Sequence, residues 1–149
     1  MRTDEKNSNH HNNPENQPMQ YLAKSCAALF ALTLIAFAAL QINDPDPIIW
    51  VSFYLICAAV PLVVVLNKWI KSLFWLALLI CLLEAMLSAP GAYNYYLHMD
   101  QEPLMQSMNP EKPYIEEARE FLGALIALGL VLASAWLSRF TTKSTFAKP

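Results

Sequence analysis

The chain has 149 residues, 56% of them hydrophobic and only 15% charged, with a formal net charge of −2. That is too apolar and too sparsely charged for an ordinary soluble domain. The sequence also lacks any basic stripe, which argues against nucleic-acid binding.

Residues 1–20 are polar and Asn-rich. They cannot bury enough surface to fold and read as a disordered arm, in which His10 and His11 are solvated rather than metal-bound. The apolar residues that follow come in blocks at about 21–40, 48–66, 70–88 and 121–137. Each is close to the roughly 20 residues that a helix needs to cross the hydrocarbon core. Ala36-Phe37-Ala38 in the first block has the form of a cleavage box. The segment before it carries as many acids as bases, however, so an uncleaved anchor is expected. Pro61 removes one backbone hydrogen bond from the second span. The turns at 43–47 and 67–68 are short enough to force antiparallel hairpins, so spans 1 and 2 should pack together, as should 2 and 3. The expected fold is all-α, a polytopic membrane protein with a four-helix up-down antiparallel bundle over 21–140. A long outer loop over 89–118 and a tail over 141–149 complete it.

Most of the ten Lys and Arg residues lie in the arm, in the second turn (Lys68, Lys71) and in the tail (Arg139, Lys143, Lys148). The positive-inside rule then places both termini in the cytoplasm, and the expected location is a bacterial cytoplasmic (inner) membrane. Trp69 and Trp136 fit an inner aromatic belt, and Trp50 an outer one. Cys26, Cys57 and Cys81 all fall inside spans, where thiols are usually packing residues and imply no disulfide framework.

Small residues mark helix contact faces in lipid. Ala27, Ala31, Leu34 and Ala38 form one stripe that runs into Gln41. Ala77 and Cys81 lead to Glu84 and Ser88, and Glu116, Glu120, Gly123, Ala127 and Ser134 share a stripe on the last span. Three helices thus carry a small-residue face ending in a polar residue on the outer side. Asn43, Asp44 and Asp46 in the first turn lie at nearly the same depth. An ionisable residue within a span normally faces the bundle interior, which makes Glu84 the most informative residue. It has a structural alternative, a carboxylate paired with Arg119 or reaching the headgroups. Glu116 to Glu120 likewise fits a helix start favoured by the macrodipole, with Glu116 three residues before Arg119. The Asp-Pro-Asp-Pro run can serve simply as a turn.

Oxygen-rich clusters suit a hard divalent cation, for which Asp44, Asp46, Glu84 and Glu120 are the candidate ligands, although their spacing matches no EF-hand loop. His98, Met99, Met105 and Met108 suit Cu(I), but the Tyr- and Met-rich loop is better read as an interfacial lid. The lack of a histidine in any span argues against haem ligated between helices. No phosphate-binding, dinucleotide, zinc-protease or nucleophile-elbow motif occurs, so an enzyme is the less favoured reading.

Gln41-Ile42-Asn43-Asp44-Pro45-Asp46, followed by Trp50 and Tyr54 and later by Glu117-Ala118-Arg119-Glu120 and Gly123, resembles the transmembrane protein 220 family over about 21–140. The resemblance implies the same four-helix fold and no reaction. It draws attention to Gln41, Asn43, Asp44, Asp46, Trp50, Glu117, Arg119 and Glu120. The combined expectation is an outward-facing acidic pocket formed by these residues with Tyr54 and Glu84, in which Arg119 braces the carboxylates and a cation or small polar ligand binds. The competing expectation is an accessory subunit that offers its small-residue faces to a membrane-protein partner or a second copy of itself.

Overall fold

The structure is a computed structural model that describes residues 17–44, 46–106 and 109–141. Most of the arm expected over 1–20 and of the tail expected over 141–149 lies outside the described residues, as does Met108. Four α-helices follow one another: α1 (Gln17–Leu40), α2 (Pro47–Val65), α3 (Lys71–His98) and α4 (Pro113–Thr141). A 3₁₀ turn, Gln41–Asn43, closes α1. All four helices are long and apolar enough to cross a membrane. The chain is an all-helical four-helix membrane bundle, and its surroundings are a lipid bilayer.

The burial pattern is that of a protein dissolved in lipid. Ala23, Ala27, Ala31, Leu34 and Ala38 are buried along α1, while Leu22, Leu29 and Leu32 point outward. Ala77 and Cys81 on α3, and Ala124, Ala127 and Val131 on α4, are fully buried, whereas Leu79, Leu83, Met86 and Leu87 are exposed. Leucine gains little by leaving acyl chains, so small residues take the contact faces and let backbones approach closely.

The two broadest seams are α3 against α4 and α1 against α2; α4 also touches α1 and α2, and the α2–α3 seam is narrower. Spans 2 and 3 therefore do meet, but the main neighbour of α3 is α4. Helix α3 has 28 residues and α4 has 29, against 19 in α2, so the later pair has the longer run to share. Helix α3 continues through Pro90, where a connection was expected over 89–118. The Pro90 side faces outward, and Gly91 beside it is buried against the Glu117 side chain of α4. Packing on α4 thus offsets the one backbone donor that proline removes.

The segment between α3 and α4 is latched at Glu102. Lys112 pairs with its carboxylate, and the Gln106 amide donates to Oε2 at 3.2 Å. The Tyr95 hydroxyl donates to the Glu102 carbonyl oxygen at 3.0 Å, and Arg119 Nη1 donates to the Gln106 carbonyl oxygen at 3.3 Å. The Lys112 hydrogen bond, with that of Gln106 second, holds the Glu102 carboxyl below its ordinary value. The Glu102 hydrogen bond in turn raises the Lys112 ammonium above its own.

Two outcomes test this description. A methyl at Gly91 overlaps Cβ and Cδ of Glu117, whereas one at Gly129 meets nothing within 4 Å. Gly91→Ala should lower stability in detergent by about 1–3 kcal/mol. Gly129→Ala should be neutral or gain up to about 1 kcal/mol of helix propensity. For the latch, the depressed Glu102 contributes stability above the ordinary carboxyl value and loses it as pH falls through its folded value. The raised Lys112 contributes below the ordinary lysine value and loses it as pH rises through its folded value. Exchange protection over 99–106 and 109–112, corrected for intrinsic rates, should hold level from about pH 5 to about pH 9 and fall on either side. Glu102→Gln should lower it at neutral pH and leave α4 unchanged; equal protection in the variant would mean that the pair orders nothing.

Candidate functional site

The antiparallel hairpins bring the end of α1, the start of α2, the end of α3 and the start of α4 to one end of the bundle. Tyr54 is central there. It is 4% exposed, with its ring held edge-on by Phe37 and Phe53 at centroid distances of 5.5 and 5.0 Å. Trp50 lies 6.5 Å away on the same helix. This aromatic box directs the Tyr54 hydroxyl onto Gly123 of α4, where a Cβ would collide with it. Glycine at this position is what allows a phenol to reach across from α2 to the α4 backbone.

Tyr54 lies within electrostatic reach of Asp44 and Glu84. Glu120 lies within reach of Glu84, Glu116, Glu117 and Asp44. Four segments far apart in sequence thus bring Asp44, Tyr54, Glu84 and Glu120 into one neighbourhood. Among the described residues, neither the Glu84 nor the Glu120 carboxylate joins an ion pair or a side-chain hydrogen bond, and the Tyr54 hydroxyl has none either. Ser88 hydrogen-bonds at 2.7 Å to the Glu84 backbone carbonyl, not to the side chain.

The other expected residues sit differently. Asn43 and Asp46 are exposed, Gln41 is half-buried, and Asp46 precedes α2 as its N-cap without a side-chain cap. Trp50 is buried among the aromatic rings. Glu117 packs on Gly91. Arg119 does not brace Glu84, Glu117 or Glu120: its guanidinium pairs with Glu116 and reaches the latch at Gln106. Its Nε is buried without a hydrogen-bond partner. The i, i+3 spacing explains the choice, because Glu116 lies one turn before Arg119 on the same helix face.

Among the described residues, no group of three or more His, Cys, Asp and Glu side chains is placed to hold a metal ion. Asp44, Asp46, Glu84 and Glu120 are thus not gathered into such a group, and Asp46 is exposed. His98, a candidate copper ligand, ends α3 with Nδ1 donating to the Asn94 carbonyl oxygen at 2.8 Å.

Two hollows flank the cluster without including its carboxylates. One of about 460 Å³ runs between α3 and α4 beside Tyr93, Tyr96, Met99 and Phe121. The other, of about 240 Å³, lies beside Lys112, Glu116 and Arg119. Sequence reasoning missed the Glu102 latch, although Lys112 and Arg119 are the only two cations between α3 and the middle of α4 and each had to find an acid. It also missed the meeting of Cys57 and Cys81, whose sulfurs lie 3.5 Å apart across the α2–α3 seam.

The profile of a family described as transmembrane family 220, helix, matches residues 29–136, which include the Asn-Asp-Pro-Asp turn, the aromatic box, Glu84 and the start of α4. No solved structure matches the chain. The chain belongs to transmembrane family 220.

Proposed function

We propose that this membrane protein binds a small cationic ligand at the neighbourhood of Asp44, Tyr54, Glu84 and Glu120, as a binding or transport-accessory protein. The observation that carries the reading is that, among the described residues, no cation or side-chain hydrogen-bond donor meets the Glu84 and Glu120 carboxylates, with the Tyr54 side chain beside them. Carboxylates drawn together in a low-dielectric setting repel, and a bound cation relieves the repulsion. The phenol adds one oxygen able to accept from an ammonium or to face a metal ion. Arg119 is already committed to Glu116.

The Lys- and Arg-rich flanks support an orientation with this end outside and both termini in the cytoplasm. The alternative reading, an accessory subunit, needs free packing faces. The small-residue stripes of α1, α3 and α4 are instead spent inside the bundle, which favours the ligand-binding reading.

The test is thermal unfolding of the purified chain in detergent, with a panel of Na⁺, K⁺, Mg²⁺, Ca²⁺, choline and spermidine. At least one member should raise Tm progressively with its concentration, the stabilisation reaching about 2.7 kcal/mol at a hundredfold excess over Kd. Glu84→Gln and Glu120→Gln should each weaken that member's binding by about tenfold or more, equal to about 1.4 kcal/mol. Asp46→Asn should leave it unchanged. A wild-type chain indifferent to the whole panel would overturn the reading.

A further inference from the structure

We propose that Cys57 and Cys81 form a redox site, a dithiol that closes to a disulfide and bolts α2 to α3 inside the bundle. The inference is independent of any ligand at the polar end.

Both thiols are fully buried and free, and they come from facing helices with their sulfurs 3.5 Å apart in a direct contact. The two sulfurs are already in contact, so the partners need no search to meet. Cys26, the third cysteine, belongs with the residues around Ala23, Ala27, Val64 and Leu137, a cluster apart from the other two. Neither thiol is spent on another hydrogen-bond partner among the described residues.

The step removes one hydrogen from each thiol. Both S–H bonds break, one S–S bond forms, and the two protons and two electrons pass to a membrane-permeant acceptor of the diazene or fully substituted quinone class. That acceptor leaves as the hydrazine or hydroquinone. The burial of the pair inside membrane-spanning helices selects for such an acceptor over a charged, water-borne one. A dithiol such as dithiothreitol reverses the step by thiol–disulfide exchange.

The placement gives the bond a consequence. Cys57 follows Tyr54 by three residues on α2, and Cys81 precedes Glu84 by three on α3, so each sulfur lies one helical turn from a residue of the polar neighbourhood. The α2–α3 seam is among the narrower contacts of the bundle. A covalent link there fixes the relative position of Tyr54 and Glu84, which noncovalent packing alone holds in the dithiol.

The experiment uses the full chain in membranes treated with the diazene diamide, then quenched, denatured and labelled with a maleimide polymer. Wild type should go from three labelled thiols to one, and dithiothreitol should restore all three. Lys68 and Lys71 are exposed between the two cysteines. Trypsin cleavage there should leave two pieces joined under non-reducing conditions and separate under reducing ones. Cys26→Ser should keep the link, and Cys57→Ser and Cys81→Ser should each abolish it. If a serine variant fails to fold, peptide mapping of oxidised wild type decides the matter through a Cys57–Cys81 crosslinked peptide. Three labelled thiols after diamide, or a link found only between separate chains, would overturn the proposal.

Discussion

How closely two helix backbones can approach is the constraint from which the rest of this bundle follows. Acyl chains solvate leucine as well as a protein core does, so burial of large apolar side chains contributes little to association. The buried faces of α1, α3 and α4 accordingly include Ala23, Ala27, Ala31, Ala77, Ala124 and Ala127, whereas that of α2 carries the larger Trp50, Phe53, Tyr54, Val60 and Val64. Gly91 and Gly123 carry the principle furthest. At both positions the neighbouring side chain occupies the space where a Cβ would stand, so one helix is pressed directly onto the side chains of the next.

The polar end of the bundle inherits its form from that packing. Gly123 lets the Tyr54 hydroxyl lie on the α4 backbone, and Gly91 lets Glu117 fit beneath the extension of α3. The acids then divide by partner. Glu102 and Glu116 each take one of the two nearby cations, and Glu84 and Glu120 take none. The division follows proximity along the chain, since Arg119 meets Glu116 one turn away before it can span to another helix. What remains is two carboxyl groups close to a phenol, with no ion-pair partner among the described residues.

The fold was legible because its signals are local and additive. Length of apolar run, turn length and the 3.6-residue recurrence of alanine each constrain one helix at a time, and together they select a four-helix bundle. The proximity of Asp44, Glu84 and Glu120 has a similar basis: Glu84 and Glu120 lie on small-residue stripes, and Asp44 sits in the turn at nearly the same depth. What sequence could not give were properties of pairs. Asp46 and Arg119 carry the right charges at the right depth, yet Asp46 faces outward and Arg119 turns to its own helix. Helix periodicity fixes the direction in which a residue leaves its axis, not which of several neighbours a long side chain will choose. The continuation of α3 past Pro90 was hidden for a related reason. A proline-glycine pair reads as a stop until the neighbouring helix that accommodates the glycine is known.

The unequal helix lengths have a bearing on the bilayer itself. At 1.5 Å per residue, the 19 residues of α2 reach about 28 Å, slightly less than an average hydrocarbon core of about 30 Å. The 28 residues of α3 reach about 42 Å. The long pair absorbs a thicker membrane by standing more upright, but α2 has no slack. Every added ångström of lipid draws the Asp44–Asp46 turn toward the acyl chains, unless the bilayer thins around it. The shortest helix thus sets the hydrocarbon thickness that the bundle can span before the lipid around it has to thin.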